Sequence, residues 1–268
     1  MPFFGFGVMP PRSGAGRAAW KGGLPVLEAG LRRGRRELNE TRRSLGLPDL
    51  ERFHGGMSEE LVLVATYPEL EHPREWPPEV RVTGPLSFEV PHPEVELPPG
   101  EEPLVLVASS TAHDPDCHLI RRVFEALRNE PVRVVATSNG HFPADPIEVP
   151  ANARLVGWLS YTQAMAAADL VVCHGGHGTI CRALETATPQ LISPAVGDMA
   201  ENGARVQWSG CGLMLPARFR RPGPIRWTVR ELLGDRAYRD RAAEIGVRRG
   251  LNPGAGPAVE AVAELLSQ

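Results

Sequence analysis

The stretch Asp169-Leu-Val-Val-Cys-His-Gly-Gly-His-Gly-Thr-Ile-Cys-Arg-Ala-Leu184 decides the fold. Its apolar start, residues 170–173, has the length and composition of a buried strand. The strand runs straight into His174-Gly175-Gly176-His177-Gly178-Thr179, and a helix begins immediately after. In open α/β sheets ligands gather at the carboxyl ends of strands, where this loop sits. A helix start offers unpaired N–H groups and about half a positive charge, a seat for phosphate. Glycines let an anion reach the backbone with no Cβ in the way. His174 and Thr179 can add hydrogen bonds to phosphate oxygens. Diphosphate binding is the chemistry this suits; the plainer reading is a tight strand-to-helix turn. No Gly-Lys-Ser/Thr follows, so the loop is not a Walker P-loop, and GxGxxG does not fit either. Cys173, His174, His177 and Cys181 invite a zinc reading, but neighbouring strand residues point to opposite faces, so no metal is expected.

Working outward, strands are predicted at 104–108, 132–137, 154–156 and 190–192 in addition to 170–173. Helices are predicted at 117–128, 161–168, 179–186 and 201–209, and in the last seventy or so residues at 224–233, 237–248 and 258–266. Alternating βα units of this length argue for a parallel sheet covered on both faces. The fold class is therefore α/β, a Rossmann-like doubly wound sheet.

Before it the pattern is poorer. A helix is predicted over 24–45, one face leucine-rich and the other basic, which reads as a solvated face. Residues 61–65 make a strand, and the prolines of 66–86 forbid long regular structure. The proline-rich, acidic stretch 87–102 suits a linker. The expected organisation is a remnant of a first domain (1–86), the linker (87–102) and the Rossmann-like domain (103–268). One strand and one helix bury their apolar faces poorly, so an exposed patch is expected around Leu27, Leu31 and 61–64.

The chain has 268 residues, 42% apolar and 23% charged, with a formal net charge of −3. That balance gives no pull toward nucleic acid. Four scattered cysteines and no secretory leader or long apolar window point to reduced thiols, a cytoplasmic location and no stable membrane anchor.

At HGGHGT (174–179) the sequence resembles nucleotide-sugar-dependent glycosyltransferases of the two-Rossmann-domain GT-B type, in the UDP-glycosyltransferase-like group, which includes bacterial natural-product glycosyltransferases. The resemblance spans roughly residue 103 to the C-terminus, and more weakly 61–86. It implies donor diphosphate contacts from His174, Gly175, Gly176, Gly178 and Thr179, and from Ser110 and Thr111 after the first strand of this half. A helix N-cap explains the last two equally. NARLVGWLSYTQAMAAADL (151–170 region) implies nucleobase contacts from Trp158 and the Leu159 backbone, with core packing as the alternative for Trp158. ISPAVGDMAENGARV implies Asp198 and Asn202 at the donor sugar, and VTGPL (82–86) resembles the end of an acceptor domain.

Three positions depart from the family: Met199 where a Gln is usual, Arg182 where many members carry a ribose-binding Glu, and Ala187 in place of a glycine. The resemblance implies an inverting, metal-independent hexosyltransferase-like enzyme with no cofactor. Its co-substrate would be a UDP- or TDP-linked sugar, its acceptor a small lipophilic molecule. The family's catalytic histidine has no counterpart, so the catalytic residues are unassigned. The expectation is a truncated transferase lacking its own base. The alternatives are a donor-binding subunit paired with a separate acceptor-domain subunit, a non-catalytic nucleotide-sugar-binding protein, or a short active enzyme with an unconventional base.

Overall fold

The computed structural model describes residues 7–53, 57–90, 92, 95–110, 113–141, 143–246 and 253–267. The chain opens with helix α1 (Gly14–Ser44), strand β1 (Val62–Val64), a 3-10 turn at Pro68–Leu70 and strand β2 (Val80–Val82). Helix α1 starts ten residues before the predicted 24. The residues before 24 were not expected to be helical, but Ser13 caps the helix by accepting from the Gly16 N–H at 3.1 Å, and the helix runs on through Pro25. Its far end is tied down by Asn39, which donates to the Leu50 carbonyl at 3.1 Å and accepts from the Leu50 N–H at 2.9 Å.

Strand β2 was not expected, because prolines crowd residues 66–86. They flank it rather than enter it: Val62, Leu63 and Val64 of β1 pair in parallel with Val80, Arg81 and Val82. The expected exposed patch is also corrected: Leu27, Leu31 and residues 61–64 are all half-buried.

The main sheet has six parallel strands: β3 (Leu104–Ala108), β4 (Arg133–Thr137), β5 (Ala153–Val156), β6 (Leu170–Cys173), β7 (Gln190–Ile192) and β8 (Gly212–Met214). Their order is β5-β4-β3-β6-β7-β8. The chain thus builds outward from β3 to β5, then returns to lay β6 on the other side of β3, with Ala108 beside Cys173. The switch in strand order falls between β3 and β6, which is where a crevice opens in this class of sheet. The unpredicted β8 pairs with β7 from Gln190–Gly212 to Ile192–Met214.

Alternation along β3 sorts the two faces. Val105 and Val107 pack under helices α2 (His118–Leu127) and α6 (Pro222–Gly234). Leu104, Leu106 and Ala108 meet α3 (Tyr161–Ala167), α4 (His177–Glu185), α5 (Met199–Ser209) and α7 (Ala237–Ile245). Tyr67 and Leu70 are buried in that second core, so the segment before residue 87 is packed onto this face. The last helix, α8 (Ala255–Leu266), returns to the VTGPL segment, where the Gly254 N–H donates to the Pro85 carbonyl at 3.1 Å. The approach needs two glycines: Gly84 has φ +102, and a Cβ on Gly254 would lie 2.2 Å from the Gly84 oxygen.

Helix α4 ends less comfortably. Ala187, just beyond its cap, sits at φ 56, a left-handed conformation that costs an ordinary L-residue about 1–2 kcal/mol. Ala187→Gly is predicted to raise stability by about 1 kcal/mol, seen as a melting midpoint about 2–4 °C higher in a thermal scan.

Candidate functional site

The loop after β6 gathers the predicted diphosphate ligands. Gly175 takes φ +92, and a Cβ there would stand 2.8 Å from Ile192 Cγ2 and 2.9 Å from the Met199 carbonyl oxygen. Gly176 caps α4 in an extended conformation, and a Cβ on it would strike the His174 ring, 2.6 Å from Nε2. Helix α4 begins at His177, so Gly178 and Thr179 lie in its first turn and their N–H groups face outward along the axis. No acidic residue occupies that turn, which leaves its partial positive charge uncompensated from within.

His174 is half-buried, and burial holds its ring below the ordinary imidazole range, against smaller opposing effects of the Ala108 carbonyl and Asp114. Its Nδ1 lies 3.4 Å from the Ala108 oxygen. A neutral ring that donates there carries a lone pair on Nε2, so it needs a second proton before it can donate to a phosphate oxygen.

Ser110 lies at the end of β3, next to this loop, and is buried with its hydroxyl accepting from the His113 N–H at 3.0 Å. It does not cap α2: Asp114 does, taking the His118 and Leu119 N–H groups at 2.8 and 3.0 Å. Thr111 lies outside the described residues.

Asp198 and Asn202 are joined to the same loop. The Asn202 amide donates to the Gly175 carbonyl at 3.0 Å and to Asp198 Oδ2 at 3.1 Å, so the residues predicted at the sugar brace the turn predicted at the phosphates. Both line a cavity of about 480 Å³ that also touches Thr66, Trp76, His177 and Arg205. Arg205 belongs to a buried ion cluster missed in the sequence, paired with Glu71 and, at 3.2 Å, with Glu201. Its partners are 134 and 4 residues away, and the longer separation leaves no local pattern.

Trp158 and Leu159 sit at the far side of the sheet's carboxyl edge, beyond β5. Trp158 is 53% exposed, which speaks against core packing, while Leu159 is buried. The Trp158 ring lies against Gly140, where a Cβ would come within 2.9 Å of it, and His92 of the proline-rich stretch stacks on it at 5.5 Å between centroids. The neighbouring loop is held by Glu89, which accepts from the Tyr161 and Thr162 N–H groups at 2.5 and 3.1 Å. Burial pulls the Glu89 carboxyl upward, but these bonds and the Thr162 hydroxyl outweigh it and hold the group below the usual carboxylate range. Ser87 likewise reaches Glu185 of α4 at 2.5 Å. Glu185 also pairs with Arg182 at 2.7 Å, so the arginine that departs from the family pattern neutralises a buried carboxylate. The thiols of Cys173 and Cys181 are pushed by burial up to about 12, which removes them as nucleophiles.

The model of the Erythromycin biosynthesis protein CIII-like, C-terminal domain matches residues 121–265. The 4'-demethylrebeccamycin synthase of Lentzea aerocolonigenes is 33% identical over 222 residues, 79% of this chain and 52% of that protein. UDP-glycosyltransferase 2 of Phaeomoniella chlamydospora is 27% identical over 259 residues, 90% of this chain and 57% of that one. The chain therefore spans about half the length of the curated relatives it matches. Among solved structures, the kitacinnamycin glycotransferase superposes with a TM-score of 0.67 at 22% identity, covering 86% of this chain and 61% of its own. At that identity the likeness concerns fold, and the parallel sheet corresponds to the C-terminal half of a GT-B architecture.

The turn at Gly175 should tolerate no side chain. Gly175→Ala combines a left-handed backbone with a clash against Ile192 and Met199, and is predicted to cost about 2–5 kcal/mol, read from the denaturant midpoint.

Proposed function

The chain belongs to the erythromycin biosynthesis protein CIII-like C-terminal-domain family, and from that premise we propose that it binds a nucleoside-diphosphate sugar for transfer to an acceptor hydroxyl. The observation that carries the reading is the uncompensated start of α4 at Gly176–Thr179, opening at the β3/β6 switch point beside His174. On this reading the diphosphate lies on the N–H groups of that first turn, the base on Trp158 and Leu159, and the sugar against Asp198 and Asn202. Ser110, at the end of β3 beside this turn, adds its hydroxyl to the phosphate site. Residues 103–268 form the donor domain, 87–102 the linker, and 1–86 the acceptor-side segment. The donor is a UDP- or TDP-linked sugar, and the acceptor a small lipophilic alcohol or phenol.

In transfer of this kind the acceptor hydroxyl gives its proton to a base and its oxygen attacks the anomeric carbon while the nucleoside diphosphate leaves with the bonding electrons. Charge grows on the leaving phosphate, and fixed N–H donors aimed at it need no reorganisation as it grows. The α4 start supplies such donors, so the reading requires no metal. Each donor of this type lowers the barrier by about 3 kcal/mol, roughly two orders of magnitude in rate. No described residue is assigned the role of base.

Calorimetric titration with UDP and TDP tests the reading. Micromolar binding that the His174→Ala, Thr179→Ala double variant loses supports it; a folded chain that binds neither nucleotide refutes it.

Binding should also take up a proton. The His174 ring lies below its ordinary value when the site is empty, and a bound diphosphate anion raises it. Affinity is then greatest below the ligand-free value and falls as pH rises past the liganded one. The heat of UDP binding should change with the ionisation enthalpy of the buffer, and His174→Ala should reduce that change.

A further inference from the structure

His72 is 1% exposed, yet among the described residues neither of its ring nitrogens has a hydrogen-bond partner. It follows the 3-10 turn, in the segment whose Leu70, Glu71, Arg74 and Trp76 line the 480 Å³ cavity. Helix α5 packs against that turn and contributes Asn202 and Arg205 to the same lining. The His72 ring sits at this junction. Its edge meets the Trp208 ring of α5 at 5.4 Å between centroids, and its Nε2 stands 3.7 Å from Glu201 Oε1.

Four charges surround the ring. Glu71 and Arg74 come from its own segment and pair with each other; Glu201 and Arg205 come from α5 and pair at 3.2 Å. Arg205 also reaches Glu71 across the junction. Two carboxylates and two guanidiniums cancel, so the junction is balanced while His72 is neutral. A further cation, Arg12 from the stretch before α1, lies over the Trp208 ring at 5.3 Å and adds to the positive side. A proton on His72 would be a buried charge with no carboxylate of its own. Glu201 is already bonded to Arg205, and 3.7 Å is longer than a hydrogen bond. Burial first, and then the Arg205 charge, lower the ring to about 4, with Arg74 adding to them and Glu71 opposing.

We propose that His72 is an acid-operated catch that fastens residues 67–76 to α5. Neutral, the ring lies closed against Trp208 and Glu201. Protonated, it leaves the junction for water, the segment lifts from α5, and the cavity opens on that side. A released ring takes its proton near 6.5, the closed ring only near 4. The closed arrangement is therefore fully favoured above 6.5 and loses ground as pH falls toward 4. Between pH 7 and pH 5 that gap shifts the balance toward release by about 20-fold.

The test uses no ligand, so its outcome is independent of the donor-site reading. Hydrogen–deuterium exchange of the whole chain is followed at pH 7 and pH 5, corrected for intrinsic rates, for wild type, His72→Phe and His72→Gln. The amides of Leu70 and Glu71, bonded to the Tyr67 and Pro68 carbonyls at 3.0 Å each, report the segment, and those of β3 report the core. In wild type, protection at Leu70 and Glu71 should fall about 20-fold relative to β3 between pH 7 and pH 5. Neither variant carries a titrating ring there, so both should hold that ratio constant. Equal falls in wild type and variants, or no fall in wild type, overturn the catch. Should both variants pack poorly, NMR titration of the wild-type His72 ring decides: a midpoint near 4 supports the catch, and one near 6.5 overturns it.

Discussion

Everything at the carboxyl edge of the sheet depends on one turn, the passage from β6 into α4 at Gly175. Its backbone is left-handed and wedged between Ile192 of β7 and the Met199 carbonyl at the start of α5. Only a residue without a side chain lets three successive elements converge there. Convergence then does three things at once. It points the free N–H groups of α4 into the crevice, brings His174 beside the end of β3, and lets Asn202 hold the Gly175 carbonyl. A site assembled this way is rigid where an anion needs fixed dipoles, because its donors are set by the core beneath them rather than by mobile side chains.

The remaining contacts fasten the first hundred residues to that frame. Tyr67 and Leu70 enter the core, Glu71 meets Arg205 of α5, and Ala65 meets His177 of α4. Ser87 and Glu89 bind α4 and the start of α3, and Gly84 receives Gly254 at the start of α8. Buried ion pairs of this sort are weak contributors to net stability, because desolvation offsets most of the attraction. Their directionality is the better explanation for their presence, since each one fixes the wall of a cavity. The 480 Å³ cavity exists because β1, the 3-10 turn and α5 are held at set positions around it.

The central sheet was legible because each strand from β3 to β7 is a short apolar run followed by a turn and, in most cases, an amphipathic helix. Bounds are identical for strands 104–108, 170–173 and 190–192 and differ by one residue for 132–137 and 154–156. Strand β8 was missed because Gly212-Leu-Met is three residues long and begins with glycine, which packs against the Gln190 carbonyl rather than signalling a strand. Strand β2 was hidden by its proline flanks, and the first third of α1 by Gly22, Gly23 and Pro25. In the site, residues on one loop could be read together because the spacing of HGGHGT is local. His177 and Arg205 could not be read, since their partners Ala65 and Glu71 are 112 and 134 residues away. Arg182 stands where the family carries a ribose-binding Glu, and its buried partner Glu185, three residues on, accounts for it.

The central claim is that the first turn of α4 is where the donor's phosphates bind. Amide chemical-shift mapping of the nitrogen-15-labelled chain during a UDP titration addresses it directly. The account predicts that the largest shifts fall on the amides of Gly176, Gly178 and Thr179, with a separate change at the Trp158 indole N–H. Saturable shifts confined to other residues of a folded chain, with the 176–179 amides unmoved, would contradict it.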